Sequence, residues 1–286
     1  MMSLGIDVGG GSVKLAAVQD GKLLWTGQSA SYSRPTKGQL VDAIRAAANG
    51  RSARFDVAGI CAPGKLDRPK RTITLSVNVP SLMGIVLDDL VAEALGDSVG
   101  RIEILNDSTA SAYDIYAANK LHGRLLSITL GTGVGASVLD EGVPVFLDGE
   151  SPGHMGQVDV SVEGEPVIGP DGGAGSLEGY IGSPALIKKY GPDMAKTLAG
   201  LTEKDPPIRA LARAVRIFHA IYCPDHVYFT GGIGIRLGHV LPGLRRLIET
   251  NLTSVAHPGW TMGTGEDDYH AAKGAARFAA DRGSKR

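Results

Sequence analysis

MSLGIDVGGGSVKLAAVQDGKLLW, residues 2–25, reads as a strand, a glycine turn, a second strand, an Asp20-Gly21 turn and a third strand. Each run is largely apolar, and Asp-Gly between two such runs is the short-range signal for a hairpin. The stretch is therefore an antiparallel meander. The plan returns in LLSITLGTGVGASVLDEGVPVF, residues 125–146, where the Glu141-Gly142 turn falls 121 residues after Asp20-Gly21. Duplication of a sheet-forming lobe is the economical reading; chance similarity of two glycine-rich hairpins is the alternative.

Between the meanders, TKGQLVDAIRAAANG reads as a helix ended by Gly50, and FDVAGICAPG as a strand ending in a Pro63-Gly64 turn. RTITLSVNVP alternates and is β-branched, IVLDDLVAEALG is amphipathic, and RIEILND is a further strand. The first lobe, residues 1–106, is thus a mixed sheet with helices on its faces. The second lobe spans 107–269. Its residues 147–175, rich in Gly, Pro and Asp, read as a long functional loop. Helices run from SPALIKKYG through PPIRALARAVRIFHAIYC, and HVYFTGGIGIRLGHVLPGLRRLIETNL is strand, glycine turn and helix. A terminal helix over 270–286 is expected to pack back on the first lobe, with Gly274 as a close-packing point.

At 286 residues, 43% apolar with 40 glycines, the chain is long enough for two compact lobes of an α/β protein. A net charge of −1 provides no basic footprint, which argues against nucleic acid or an anionic membrane as partner. The two cysteines, Cys61 and Cys223, form no CxxC pair and are expected to be buried thiols in a reducing compartment. No leader pattern and no spanning apolar run stands out, so a cytoplasmic location is expected.

Three glycine clusters each follow a strand: DVGGGSVK at 7–14, LGTGVG at 130–135 and TGGIG at 230–234. Glycine lets backbone N–H groups approach an anion, so such turns can cradle phosphate. A single glycine hairpin is usually only structural; three, two of them at matched places in a repeat, point to a phosphate ligand. No cluster fits GxxxxGK[ST], and none is a GxGxxG opening a helix in a βαβ unit, which excludes the P-loop and dinucleotide folds.

With these residues the sequence resembles the actin, chaperone-ATPase and sugar-kinase superfamily. Asp7 with its glycines, the Gly131-Thr132-Gly133 turn and the Gly231-Gly232 turn look like its two phosphate motifs and its adenosine motif. GIDVGGGSVKLA, VAGICAPG, LNDSTASA, ITLGTGVG and GGAGSLEGYIGSPAL are similar to the ROK family of sugar kinases and repressors, in order over nearly the whole chain. The resemblance implies a two-lobed actin-like ATPase (ribonuclease H-like) α/β fold, each lobe a mixed sheet flanked by helices. It implies ATP and Mg²⁺, with Asp7 holding magnesium through water as a hard oxygen donor. Gly9, Gly10, Gly11, Ser12, Lys14, Gly131, Thr132 and Gly133 would line the triphosphate, and Gly231 and Gly232 would lie against adenosine. A sugar or polyol would occupy the cleft between lobes. A homodimer is implied by resemblance alone.

The resemblance also assigns a role to ILNDSTASAY, residues 104–113, an apolar strand that stops on an amide and an acid. Asp107 would accept the proton of the attacking sugar hydroxyl, and Asn106, Asn78, Gly64 and Glu178 would contact the sugar. The bland alternative for Asp107 is a helix cap, and for the others turn capping.

Three departures from the family pattern stand out. Where members read GExGH, this chain reads GHMGQVDV, so His154 takes the Glu position and Gln157 the His position. A shifted register would instead align His154 with the family histidine and Ser151 with the Glu. In place of a CxCGxxGC zinc segment stands VIGPDGGAGSLEG, with no cysteine, so no zinc site is expected. Gly11 occupies a usual threonine position, with Ser12 as its replacement, which leaves polyphosphate open as a donor. The leading reading is an ATP-dependent sugar kinase. A polyphosphate-dependent glucokinase and a sugar-binding regulatory protein without catalysis are the alternatives, and a DNA-binding repressor is disfavoured by the early Asp7 and the absence of basic charge.

Overall fold

The computed structural model describes residues 1–51, 53–76, 79–147, 152–170 and 172–284. Strands β1 (Met2–Val8), β2 (Val13–Gln19) and β3 (Lys22–Gln28) form the first meander, followed by α1 (Lys37–Ala48) and β4 (Phe55–Ala62). Then come β5 (Lys65–Asp67), β6 (Thr72–Leu75), α2 (Leu87–Leu95), β7 (Val99–Asn106) and α3 (Asp107–Ala118). The second meander is β8 (Arg124–Leu130), β9 (Val134–Asp140) and β10 (Val143–Pro144). It leads to α4 (Leu177–Ile181), α5 (Ser183–Tyr190), α6 (Met194–Gly200) and α7 (Pro206–Tyr222). The chain ends with β11 (His226–Thr230), α8 (Gly231–Gly234), α9 (Leu241–Glu249), β12 (Thr261–Thr264) and α10 (His270–Ser284).

Two compact units result: Met1–Asn119 with Phe146–Ser151 and Tyr269–Arg286, and Lys120–Val145 with Pro152–Asp268. The first sheet runs β3-β2-β1-β4-β7, with β1 antiparallel to β2 and parallel to β4, and β4 parallel to β7. The second runs β10-β9-β8-β11-β12 with the same orientations. Asp20 and Gly21 have φ of 48° and 78°, and Glu141 and Gly142 have 47° and 77°. Both hairpins therefore close through paired left-handed residues, the geometry whose twist suits the flanking strands. They differ at the other turn, where the first unit inserts Gly9–Ser12 and the second the shorter Gly131–Gly133.

Central strands covered on both faces need near-continuous apolar sequence. β1 meets this with Leu4, Ile6 and Val8, which pack with Leu40, Ile44 and Leu90; Leu126, Ile128 and Leu130 of β8 pack with Leu211, Phe218 and Phe229. α1 begins at a full capping box, Thr36 with Gln39, and ends on left-handed Asn49 just before the expected Gly50. α3 lies in the first unit, so the division by contacts falls after Asn119, beyond the expected Asn106. The cause is α10, whose Gly274 meets α3 so closely that an added Cβ would stand 1.8 Å from the Ala110 carbonyl oxygen.

RTITL forms β6, which pairs with β5 in a separate two-stranded sheet. β12 extends the second sheet by parallel pairing with β11. Cys61 is buried as expected, but Cys223 is only half-buried, because it terminates α7 in a left-handed conformation with φ of 43°. No helix among the described residues is long and apolar enough to cross a membrane.

Candidate active site

Parallel neighbours β1, β4 and β7 end along one edge, with Asp7 in register with Cys61 and Ala62 with Asn106. The carboxyl edge of parallel strands is where open α/β sheets place ligands. Asp7 is buried there, 3.9 Å from Cys61 Sγ, which also faces the Ala271 carbonyl at 3.7 Å. Burial, then the negative charges of Asp7 and Asp107, push the Cys61 thiol well above its ordinary range. That thiol is a neutral packing group, and two carboxylates lie close enough to act on it.

Asn106 is the N-cap of α3, its Oδ1 accepting from the Ser108 N–H at 2.9 Å and from the Ser108 hydroxyl at 2.6 Å. Its amide donates to the Gly64 carbonyl at 3.2 Å. Gly64 has φ of 123°, and an added Cβ would stand 2.2 Å from the Leu75 oxygen, so no other residue fits. Asp107 is the first helical residue, half-buried, with Oδ1 accepting from the Ser108 N–H at 2.8 Å. Burial raises its carboxyl above the usual carboxylate range, opposed by that backbone bond.

The first glycine turn closes with a Gly9 N–H to Ser12 O bond of 3.1 Å. It is pinned from outside by a residue the sequence did not single out. The Tyr32 hydroxyl donates to the Gly9 carbonyl at 2.6 Å, and the Tyr32 N–H to the Gly11 carbonyl at 2.9 Å. Ser12 Oγ accepts from Gln28 at 3.1 Å, and half-buried Lys14 stands opposite Asp7 in the ladder. Gly10 is half-buried in the same turn, while Gly11 is exposed and an added Cβ would meet nothing within 4 Å.

In the second unit, the Gly131 N–H donates to Gly133 O at 3.0 Å, and Gly131 O accepts from the Ser183 N–H at 2.9 Å. Glu178, in the first turn of α4, accepts from the Val134 N–H at 2.7 Å. Gly182 lies against the Thr132 carbonyl, where an added Cβ would stand 3.0 Å away. Gly156 packs on Val134 with only 2.3 Å for a Cβ, placing the Met155–Gln157 turn beside the glycines. Gln157 Oε1 is buried without a hydrogen-bond partner, and His154 is exposed. Gly231 has φ of 75° and backs onto the Leu130 carbonyl. Gly232 lies near Asp268, whose buried Oδ1 also lacks a partner and which the sequence reading missed. Asn78 and Ser151 lie outside the described residues.

Where the zinc segment would stand, the described residues among 158–180 are tied by backbone and side-chain bonds. The Val160 N–H donates to Gly175 O at 2.8 Å and the Gly175 N–H to Val167 O at 2.9 Å. Tyr180 bridges the loop, accepting from the Val162 N–H at 2.9 Å and donating to Glu165 O at 2.6 Å.

The sequence model of the ROK family matches residues 3–282. The chain belongs to the ROK family. A glucokinase of Thermotoga maritima is 27% identical over 275 residues, covering 84% of each chain. An N-acetylmannosamine kinase of Vibrio cholerae is 26% identical over 286 residues, 94% of this chain and 96% of its own. The solved ROK glucokinase of Streptomyces griseus, in complex with glucose and AMPPNP, aligns with a TM-score of 0.74 at 19% identity, over 98% of this chain and all of its own. The ROK chain described here thus has the actin-like ATPase fold, each unit a mixed sheet flanked by helices.

Proposed function

We propose that the protein transfers the γ-phosphoryl group of ATP to a hydroxyl of a hexose, amino sugar or related polyol. The observation that carries the reading is the division of labour at the start of α3, where Asn106 does the capping and leaves the half-buried, proton-retentive carboxyl of Asp107 for chemistry. The kinase names of the full-length relatives support the same reaction class.

In this reading Asp107 takes the hydroxyl proton as the sugar oxygen bonds to the γ-phosphorus and the bond to the ADP oxygen breaks. Burial that raises its pKa makes the Asp107 carboxylate a better proton acceptor than an ordinary one. Asn106 and Gly64 position the sugar beside it, with Asn78 as a further contact. In the second unit Glu178 and Gln157 serve the sugar, and the unpartnered Gln157 amide oxygen suits a hydroxyl donor. His154 is a weaker contact, being exposed. The backbone of Gly9–Ser12, Lys14 and Gly131–Gly133 meets phosphate, and Gly231 and Gly232 leave room for adenosine. Asp7 fits a magnesium ion held through water, because a buried single carboxylate at a strand end offers a hard oxygen without enclosing the ion. Bound there, the ion would neutralise phosphate charge.

A panel of hexoses, amino sugars and polyols, each with ATP and with polyphosphate, tests the reading by mass detection of phosphorylated product. Sugar-dependent release of ADP is expected. Product with polyphosphate alone would reassign the donor, and no product from any pair would leave a sugar-binding protein without catalysis.

A further inference from the structure

On the face of α7 away from its core side, Arg209, Arg213 and Arg216 border a cavity of about 340 Å³. Spacings of four and seven residues put the three on one helix face, about 6 and 10 Å apart along the axis. Like charges at this spacing cost stability unless something neutral or negative answers them. Among the described residues, Arg71, Arg124, Arg245 and Arg277 each have a carboxylate within 4 Å, whereas none of the three on α7 does. Asp159 feels the charge of Arg213 at longer range, but its own Oδ1 already accepts from Ser161 N–H and hydroxyl.

The cavity floor is apolar, from Val162, Ala212 and Leu247, and Asn251 offers an amide at the rim. Glu163 is exposed on the same rim and offsets one of the three arginine charges, leaving the lining net positive. Its size falls at the lower end of small-molecule sites. We propose that this pocket binds a small compound bearing two phosphoryl groups, with guanidinium forks on α7 as the anion ligands. Arg213 also donates to the Ser161 carbonyl at 2.9 Å, in the loop that pairs Asp159 with Ser176, the cap of α4. Occupancy is thereby linked to the helix that carries Glu178, which makes the pocket a regulatory one.

Titration calorimetry on the full chain, with inorganic pyrophosphate in one arm and glucose 1,6-bisphosphate in the other at matched ionic strength, separates an inorganic from an ester source. The Arg209→Gln/Arg213→Gln/Arg216→Gln variant should lose one binding equivalent of at least one probe relative to the unaltered chain, with its thermal midpoint unchanged or higher and basal turnover unchanged. Equal numbers of equivalents and equal affinities in both proteins overturn the proposal. Should the triple variant not fold, Arg209→Gln alone should bind about tenfold more weakly at that site, and unchanged affinity overturns it. Counting equivalents does not depend on turnover, so failure of the kinase reading and failure of this one give different results.

Discussion

Asp107 and Asn106 are adjacent, yet substitution should separate them cleanly. A carboxyl whose folded pKa is raised contributes stability only at low pH and loses it as pH rises through that pKa, so the ionised group burdens the fold. Asp107→Asn keeps the Ser108 contact, and should lower kcat by about 10²- to 10⁴-fold with an unchanged or higher thermal midpoint. Asn106→Ala removes a cap and should cost about 1 kcal/mol in a denaturation measurement. A fully active Asp107→Asn protein would remove the base from this site. Gly11 allows a second residue-scale test, because its Cβ direction is open and its φ is not left-handed. Gly11→Thr restores the hydroxyl usual at this position and should lower the KM for ATP severalfold while leaving the midpoint unchanged; steady-state kinetics over ATP concentration checks it. Tyr32 was illegible in the sequence for a physical reason: its hydroxyl serves a backbone oxygen 23 residues away, and nothing local marks that contact.

At the scale of elements, α10 is held to the first sheet and to α3 by missing side chains. Added Cβ atoms at Gly5 and Gly59 would stand 1.7 and 2.1 Å from carbonyls of α10, and one at Gly274 would stand 1.8 Å from the carbonyl of Ala110. Because backbone cannot yield as a side-chain tip does, Gly274→Ala should cost about 1–3 kcal/mol or more. It should also lower kcat by shifting α3, which begins at Asp107. Gly38→Ala in α1, where nothing lies within 4 Å, is the control and should raise the midpoint slightly through helix propensity. Calorimetric midpoints of the two variants decide between close packing and a general effect of glycine replacement. The meanders and their turns were readable because Asp20-Gly21 and Glu141-Gly142 encode their own geometry. β12 was not, since four residues, TMGT, carry too little pattern and are made a strand by pairing with β11. The strand-end turns were legible as glycine; the groups bracing them, Ser183, Tyr32 and Glu178, come from distant segments.

For the molecule as a whole, a buried titratable group in each unit answers acid differently. His219, in the second unit, is fully buried with neither ring nitrogen hydrogen-bonded and packs edge-on against Trp260 at 4.7 Å. Burial pushes its pKa down to about 4. A base depressed in this way is charged in the unfolded chain first, so the fold loses stability as pH falls from about 6.5 towards that value. Asp114, in the first unit, is held below the usual carboxylate range: burial works the other way, but is outweighed by the His270 hydrogen bond at 2.6 Å and by Lys273 and Arg277. Its contribution is present above the unfolded carboxylate pKa and is lost only as pH drops below it. Acid should therefore loosen the second unit before the first. Trp25 reports on the first unit and Trp260 on the second, so single-tryptophan variants followed by fluorescence from pH 7 to 3 should show the Trp260 transition at higher pH. In His219→Leu the Trp260 transition should move down towards that of Trp25, because the buried base that drove it is gone; coincident transitions in the unaltered chain would mean that the two units unfold as one.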